Sequence, residues 1–185
     1  LFPHSLGIFY TAMTQYLGFM NYGDEYKVMG LAPYGKPKYI DKLREIVSFD
    51  KKKLFKLNLK YFLHHIGNVE MTWLNGEPKI GKVFSNNLEK FLGPQRNKND
   101  NLLQFHKDIA ASTQKIFEEI LINIVNDLYE KNKNENLCIS GGSGMNSVAN
   151  GVLFEKTKYK KIYIPPAPGD AGGSLGSAVY QINKI

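Results

Sequence analysis

The sequence is poor in two chemically telling side chains. It holds one cysteine, Cys138, and two arginines, Arg44 and Arg96, in 185 residues. A single thiol excludes an internal disulfide framework and any zinc site built from several cysteines. No apolar run approaches the ~20 residues that a bilayer-spanning helix needs. No basic stretch followed by an apolar core opens the chain, so no secretory signal is read and a cytoplasmic location is expected. The first residue is Leu1 rather than methionine, and the chain is expected to be a segment cut from a longer protein. What remains is ordinary: 43% hydrophobic and 22% charged residues exclude wholesale disorder.

The net charge is +7, which could suit a polyanion, yet the basic residues are lysines almost throughout. Arginine is the usual reader of guanine and phosphate in two-point contacts. Its scarcity argues on composition against a nucleic-acid partner. The lysines are dispersed apart from Lys51-Lys52-Lys53 and the group Lys158, Lys160 and Lys161, and they read as a solvated surface.

Leu6, Phe9, Tyr10, Met13 and Leu17 recur at helical spacing, with Ser5 as N-cap and Gly18 near the end. A second helical stretch runs from Glu25 to about Ala32 and is stopped by Pro33 and Gly35. Pro37 suits the first turn of a helix carrying Ile40, Leu43, Ile46 and Val47. Alternation of Leu57, Leu59, Tyr61 and Leu63 with Lys56, Asn58, Lys60 and Phe62 predicts a strand. Met71 to Leu74, Asn75-Gly76 and Glu77 to Ile80 predict a two-residue hairpin. The segment from Gly93 to Asn101 predicts the most flexible loop. A long helix spans Gln104 to about Lys131. Two units then follow in which a short apolar strand (Leu137 to Ser140; Lys161 to Ile164) meets a glycine-rich turn that opens a helix. The segments are thus helical at 1–53, strand and hairpin at 54–92, and α/β at 104–185.

The first turn reads Ser140-Gly141-Gly142-Ser143-Gly144-Met145-Asn146. Glycine admits positive φ and lets a ligand approach the main chain, and the following helix offers free N–H groups to a phosphate, a nucleotide or another polar group. The turn lacks the lysine and hydroxyl of a P-loop and does not match the dinucleotide fingerprint. By itself it is also compatible with a plain tight turn. The second turn, Pro165 to Gly176, places Asp170 at a strand's carboxyl end, the edge where open α/β sheets bind ligands. There a carboxylate can ligate a metal, hold a hydroxyl or cap the helix. The small residues Gly172, Gly173, Gly176 and Ala178 suggest close packing of that helix on another backbone.

A serine-hydrolase arrangement of Ser143 with His106 and Asp170 fails, because Met145 stands where the nucleophile elbow needs glycine. His64 and His65 on a strand would point to opposite faces, which disfavours a shared metal. His4 and His106 read as structural, and Cys138 as a small buried hydrophobe.

Six ordered blocks resemble the O-carbamoyltransferases of the nodulation and antibiotic-tailoring type: Phe2-Pro3-His4-Ser5-Leu6-Gly7 with Phe9-Tyr10; Glu25 to Gly35; Gly93-Pro94-Gln95-Arg96; His106 to Gln114; Gly141 to Asn150; and Pro165 to Gly176. The resemblance implies the later part of an N-terminal domain related to the tRNA threonylcarbamoyl-transfer protein. The implied fold class is α/β, an RNase H-like lobe of the actin-like ATPase superfamily with an inserted β-hairpin region. The implied activity moves a carbamoyl group from carbamoyl-adenylate to a hydroxyl of a small-molecule acceptor. The adenylate is made from carbamoyl phosphate and ATP by a further C-terminal domain that this sequence does not include. A divalent metal, iron or magnesium, is implied as cofactor. Carried over by position, Asp170 is the metal ligand, Gly141, Gly142 and Asn146 form the adenosine and phosphate turn, and Glu25 and Lys27 border the nucleotide. Two departures stand out: Ser143-Gly144 where relatives commonly have valine and a small residue, and Gln95 where they often have proline. A tRNA threonylcarbamoyl-transfer protein and a non-catalytic nucleotide-binding module are the alternative readings.

Overall fold

Ser5 starts the first helix as its side chain predicts: Oγ accepts the Ile8 N–H at 3.3 Å, and α1 runs Leu6–Tyr16. The computed structural model describes residues 2–50, 54–67 and 69–184, so the Lys51-Lys52-Lys53 run lies outside the described residues. The chain divides into two compact units, Leu1–Ile120 and Leu121–Ile185. The sequence-based segments 1–53 and 54–92 fall in the first, and 104–185 begins there and continues through the second.

In the first unit α1 is buried along most of its length, with Phe9, Tyr10, Met13 and Tyr16 in the core. Tyr10 meets Phe117 edge-on at 5.2 Å between ring centroids, and Tyr16 meets Phe84 at 6.1 Å. Gln15, buried in an otherwise apolar setting, donates Nε2 to the Gly81 carbonyl (3.0 Å) and accepts the Val83 N–H (2.9 Å). It thereby satisfies both its own amide and a stretch of irregular backbone. Helix α2 is Glu25–Leu31, closed by a 3-10 turn at Ala32–Tyr34 and by Gly35. A β-carbon on Gly35 would lie 2.0 Å from the Lys107 carbonyl, so only glycine fits where the chain crosses the start of α5 (Gln104–Asn132).

Asp108 fixes that crossing. Its Oδ1 accepts the Lys36 N–H and the Gln104 amide, both at 2.8 Å, and Oδ2 pairs with Lys38 Nζ at 3.0 Å. One turn on, Ser112 Oγ accepts the Tyr39 N–H at 3.0 Å and donates to the Asp108 carbonyl at 2.6 Å. Helix α3, Ile40–Ile46, starts beyond this strap, so Pro37 sits in the preceding turn rather than in the helix. Val47 leaves the expected helix to begin β1, Val47–Asp50, antiparallel to β2, Leu54–Leu57.

The expected strand over 57–63 is instead the end of β2 followed by a 3-10 turn at Leu59–Tyr61. Tyr61 and Phe62 are both buried, which consecutive strand residues on alternating faces would not be. The hairpin is as expected: β3, Met71–Leu74, pairs with β4, Glu77–Ile80, around Asn75 and Gly76 at φ 53° and 80°. Helix α4, Asn86–Leu92, was hidden inside the strand-rich segment; Ser85 caps it and Gly93 ends it at φ +108°. The loop expected to be most flexible is anchored by the buried Arg96, whose guanidinium donates to three main-chain carbonyls.

In the second unit β5, Asn136–Cys138, runs parallel to β6, Lys161–Tyr163, with α6, Ser147–Lys156, between them in sequence. Its core gathers Val125, Leu137, Leu153 and Tyr159. Cys138 is exposed, not buried as its apolar setting suggested. Leu137 takes the inward face of the strand, and its neighbour must point the other way. The last helix, α7, Gly172–Ile182, contains no buried residue. The architecture is mixed α/β with small two-stranded sheets.

Two buried groups on α5 give an acid-stability profile. His106 Nδ1 accepts the Leu103 N–H at 3.0 Å, and burial, reinforced by the Arg96 charge, holds its pKa below the usual 6.5. Asp108 is held at about 2, first by the Lys36 N–H and then by the Gln104 amide. Both folded-state values lie below the unfolded ones, so both contributions are complete at neutral pH and shrink as pH falls. The denaturation midpoint should begin to drop below pH ~6.5 and drop again between the ordinary aspartate value of 3.8 and about 2. His106→Gln should remove the first step only. Asp108→Ala should remove the second and cost about 1–3 kcal/mol at pH 7 through stranded donors; a flat acid profile in the wild type would contradict both assignments.

Candidate functional site

The two glycine-rich turns meet in the second unit. After β5 the ladder gains one more rung, Ile139 N–H to the Tyr163 carbonyl at 3.0 Å. The chain then bends at Gly141, with φ +98° and ψ 164°, a conformation essentially closed to residues with a β-carbon. In that geometry the Gly141 N–H donates to the Pro168 carbonyl of the second turn at 2.6 Å. A 3-10 turn, Gly142–Met145, carries the chain into α6. Gly144 is buried, and a β-carbon there would touch Ile139 and Pro168 at 3.3 Å. On Gly169 it would lie 2.6 Å from the Met145 methyl. The strand-to-helix bends are therefore in direct contact just past the carboxyl ends of two parallel strands.

Gly142 faces open space: nothing lies within 4 Å of a β-carbon built on it. Asn146 is buried, and its Oδ1 accepts the Ala149 N–H at 2.9 Å as the N-cap of α6. Its carbonyl oxygen is thus occupied by the helix end. Asn150, one turn along, donates Nδ2 to the Gly144 carbonyl at 2.7 Å and braces the turn from behind, and its buried Oδ1 has no hydrogen-bond partner among the described residues. No role was read for it in the sequence, although its spacing of four from Asn146 was the available signal.

Asp170 is exposed, and its carboxylate makes no hydrogen bond or ion pair among the described residues. Ala171 is the N-cap of α7, without a side-chain cap bond, so the capping role open to Asp170 is not taken up. The close packing expected of the small residues holds at Gly172, where a β-carbon would lie 2.0 Å from the Ala167 carbonyl. It does not hold at Gly173 or Gly176, which face open space. Among the described residues no group of three or more His, Cys, Asp or Glu side chains could hold a metal ion.

Glu25 and Lys27 belong to the first unit. Glu25 accepts the Thr11 hydroxyl at 2.6 Å and borders a cavity of about 30 Å³ with Thr14 and Tyr22. Lys27 Nζ pairs with Asp24 at 2.7 Å and sits 5.7 Å from the Phe19 ring centroid. The Asp24 hydrogen bond is the main cause of its raised pKa. His4 and His106 are structural acceptors, as expected; His4 Nδ1 takes the Leu57 N–H at 3.2 Å. His64 and His65 lie in a turn rather than a strand, so their rings meet edge-on at 5.7 Å instead of facing apart.

The paired bends expose a glycine and a carboxylate past the carboxyl ends of two parallel strands, the edge at which open α/β sheets bind ligands. The comparisons give the particular family. The family model described as the carbamoyltransferase N-terminus matches residues 1–179. The chain belongs to that family. Among its relatives an uncharacterised protein of Synechocystis is 42% identical over 96% of this chain and 27% of its own length. Nodulation protein NolO of Bradyrhizobium diazoefficiens is 32% identical over 98% of this chain and 29% of its own. Nodulation protein NolNO of Sinorhizobium fredii is 31% identical over the whole of this chain and 24% of its own. The chain thus spans less than a third of the length of these relatives. No helix among the described residues is long and apolar enough to cross a membrane.

Gly141→Ala should cost about 1–3 kcal/mol, because alanine must adopt a conformation reserved for glycine. Gly173→Ala, with open space at its β-carbon, should leave the thermal midpoint within a degree or two. Equal midpoints for the two variants would contradict the backbone geometry at Gly141.

Proposed function

We propose that this chain is part of the carbamoyl-transfer domain of an ATP-dependent carbamoyltransferase, and that its fold is an RNase H-like lobe of the actin-like ATPase superfamily. The observation that carries the reading is the hydrogen bond from Gly141 to Pro168, which holds the glycine turn and the Asp170 turn side by side. The family match supports the reaction class. The parallel β5–β6 pair with an intervening helix supports the fold.

In this reading the adenylate lies over the Gly141-Gly142 backbone, where no side chain blocks it. The acceptor's hydroxyl oxygen attacks the carbamoyl carbon, the bond from that carbon to the phosphate oxygen breaks, AMP leaves, and the acceptor's proton passes to solvent or a base. Held geometry lowers the barrier by removing the entropy of encounter. Main-chain N–H groups near the start of α6 stabilise the leaving phosphate. Asp170 offers one carboxylate oxygen, of the kind that suits magnesium and also serves iron in mixed histidine and carboxylate sets. A single carboxylate does not complete a metal site. The acceptor is a small molecule with a free hydroxyl.

In the full-length protein, Asp170→Ala should abolish carbamoyl transfer while carbamoyl-adenylate formation continues; survival of both partial reactions would remove Asp170 from the site. Gly142→Val should fold normally, since its β-carbon meets only solvent, yet weaken ATP binding about tenfold or more by occupying the approach. Unchanged ATP affinity in a folded Gly142→Val protein would sink the placement of the nucleotide.

A further inference from the structure

Arg96 is a buried cation, 9% exposed, in the loop between α4 and α5. Its Nε, Nη1 and Nη2 donate to the carbonyls of Asp100 (3.0 Å), Leu17 (2.9 Å) and Lys98 (3.1 Å). These bonds satisfy donors but carry no formal negative charge. Among the described residues Arg96 forms no ion pair, and its guanidinium rests 5.4 Å from the Phe19 ring centroid. A buried charge without a counter-charge is costly unless something neutralises it. Its field is felt nearby: it helps to lower the pKa of His106.

The guanidinium borders a cavity of about 220 Å³ whose lining also includes Lys27, Lys98, Phe19, Asn21 and Asp24. The charges facing it are three cations and one carboxylate. That carboxylate, Asp24, is already engaged by Lys27 at 2.7 Å and by the Asn21 N–H at 3.1 Å. Gly18, at φ +82°, is compelled here twice over, since a β-carbon would lie 2.8 Å from the Arg96 Nη1 as well as demanding a left-handed backbone.

We propose that this cavity binds a phosphate-type oxyanion, free or as the phosphoryl group of a larger ligand. Lys98 and Lys27 contact the anion, and Arg96 supplies the uncompensated charge behind it. The site shares Lys27 with the nucleotide reading but does not rest on it, because an inorganic anion alone tests it. Arg96 itself is a poor variant to test, as its removal strands three carbonyls and releases the loop.

The experiment is a titration of the full chain with inorganic phosphate, AMP and adenosine at low ionic strength, followed by calorimetry or by amide shifts. Saturable phosphate binding is expected, weakened about three- to fivefold in Lys98→Gln, further in Lys27→Gln, and weakened again by added salt. The melting temperature of Lys98→Gln should be unchanged. AMP binding tighter than phosphate and weakened in parallel with it by Lys98→Gln, with adenosine silent at these residues, identifies the occupant as a nucleotide's phosphoryl group; phosphate binding alone sensitive to Lys98→Gln identifies a free oxyanion. Absence of saturable phosphate binding, or affinity indifferent to both lysine substitutions, overturns the proposal. ATP affinity unchanged by Gly142→Val, with phosphate binding intact, would count against the nucleotide reading alone.

Discussion

The first unit depends on one buried carboxylate. Asp108 holds the chain between α2 and α3 against the start of α5, and it does so with an ion pair to Lys38 and two hydrogen-bond donors, one of them a main-chain N–H. A buried carboxylate is tolerable only when its lone pairs are met, and here they are met by the segment that needs ordering. Gly35 closes the arrangement from the other side, because the crossing is too tight for any β-carbon. Ser112 adds its own contact to the strap through the Tyr39 N–H, and Ala110, Ala111 and Thr113 beside it are buried.

The second unit uses a different device for the same end. Its bends are joined by a backbone hydrogen bond and by glycines whose missing β-carbons leave room for Pro168, Met145 and the Ala167 carbonyl. Side chains enter mainly as braces: Asn146 caps α6, and Asn150 holds Gly144. The bends thus expose main chain at Gly141 and Gly142 together with the Asp170 carboxylate.

Much of this was legible in the residues. Long periodic segments and turn chemistry were read correctly: α1 from Ser5 onward, α5 almost to the residue, the Asn75-Gly76 hairpin, and both strand-to-helix turns. What failed was local pattern overruled by packing. Alternation over 57–63 suggested a strand, but the first unit buries Tyr61 and Phe62 together, and a 3-10 turn is what permits that. Helix α4 is only seven residues long, too short to impose a period against its surroundings. The Gly93 to Asn101 stretch looked mobile because its order comes from Arg96 reaching carbonyls as distant as Leu17, a relation that no window of sequence contains. At the site, the residue types on the two turns were visible, but the division of labour between Asn146 and Asn150 required coordinates.

Cys138 lies outward on β5, three positions before the Gly141 bend, and this sequence has no second thiol. A maleimide dye or a spin label would therefore attach at one defined point on the strand that feeds the glycine turn. That gives the molecule a built-in address for spectroscopy beside the bend, reached without altering any residue of the turn itself.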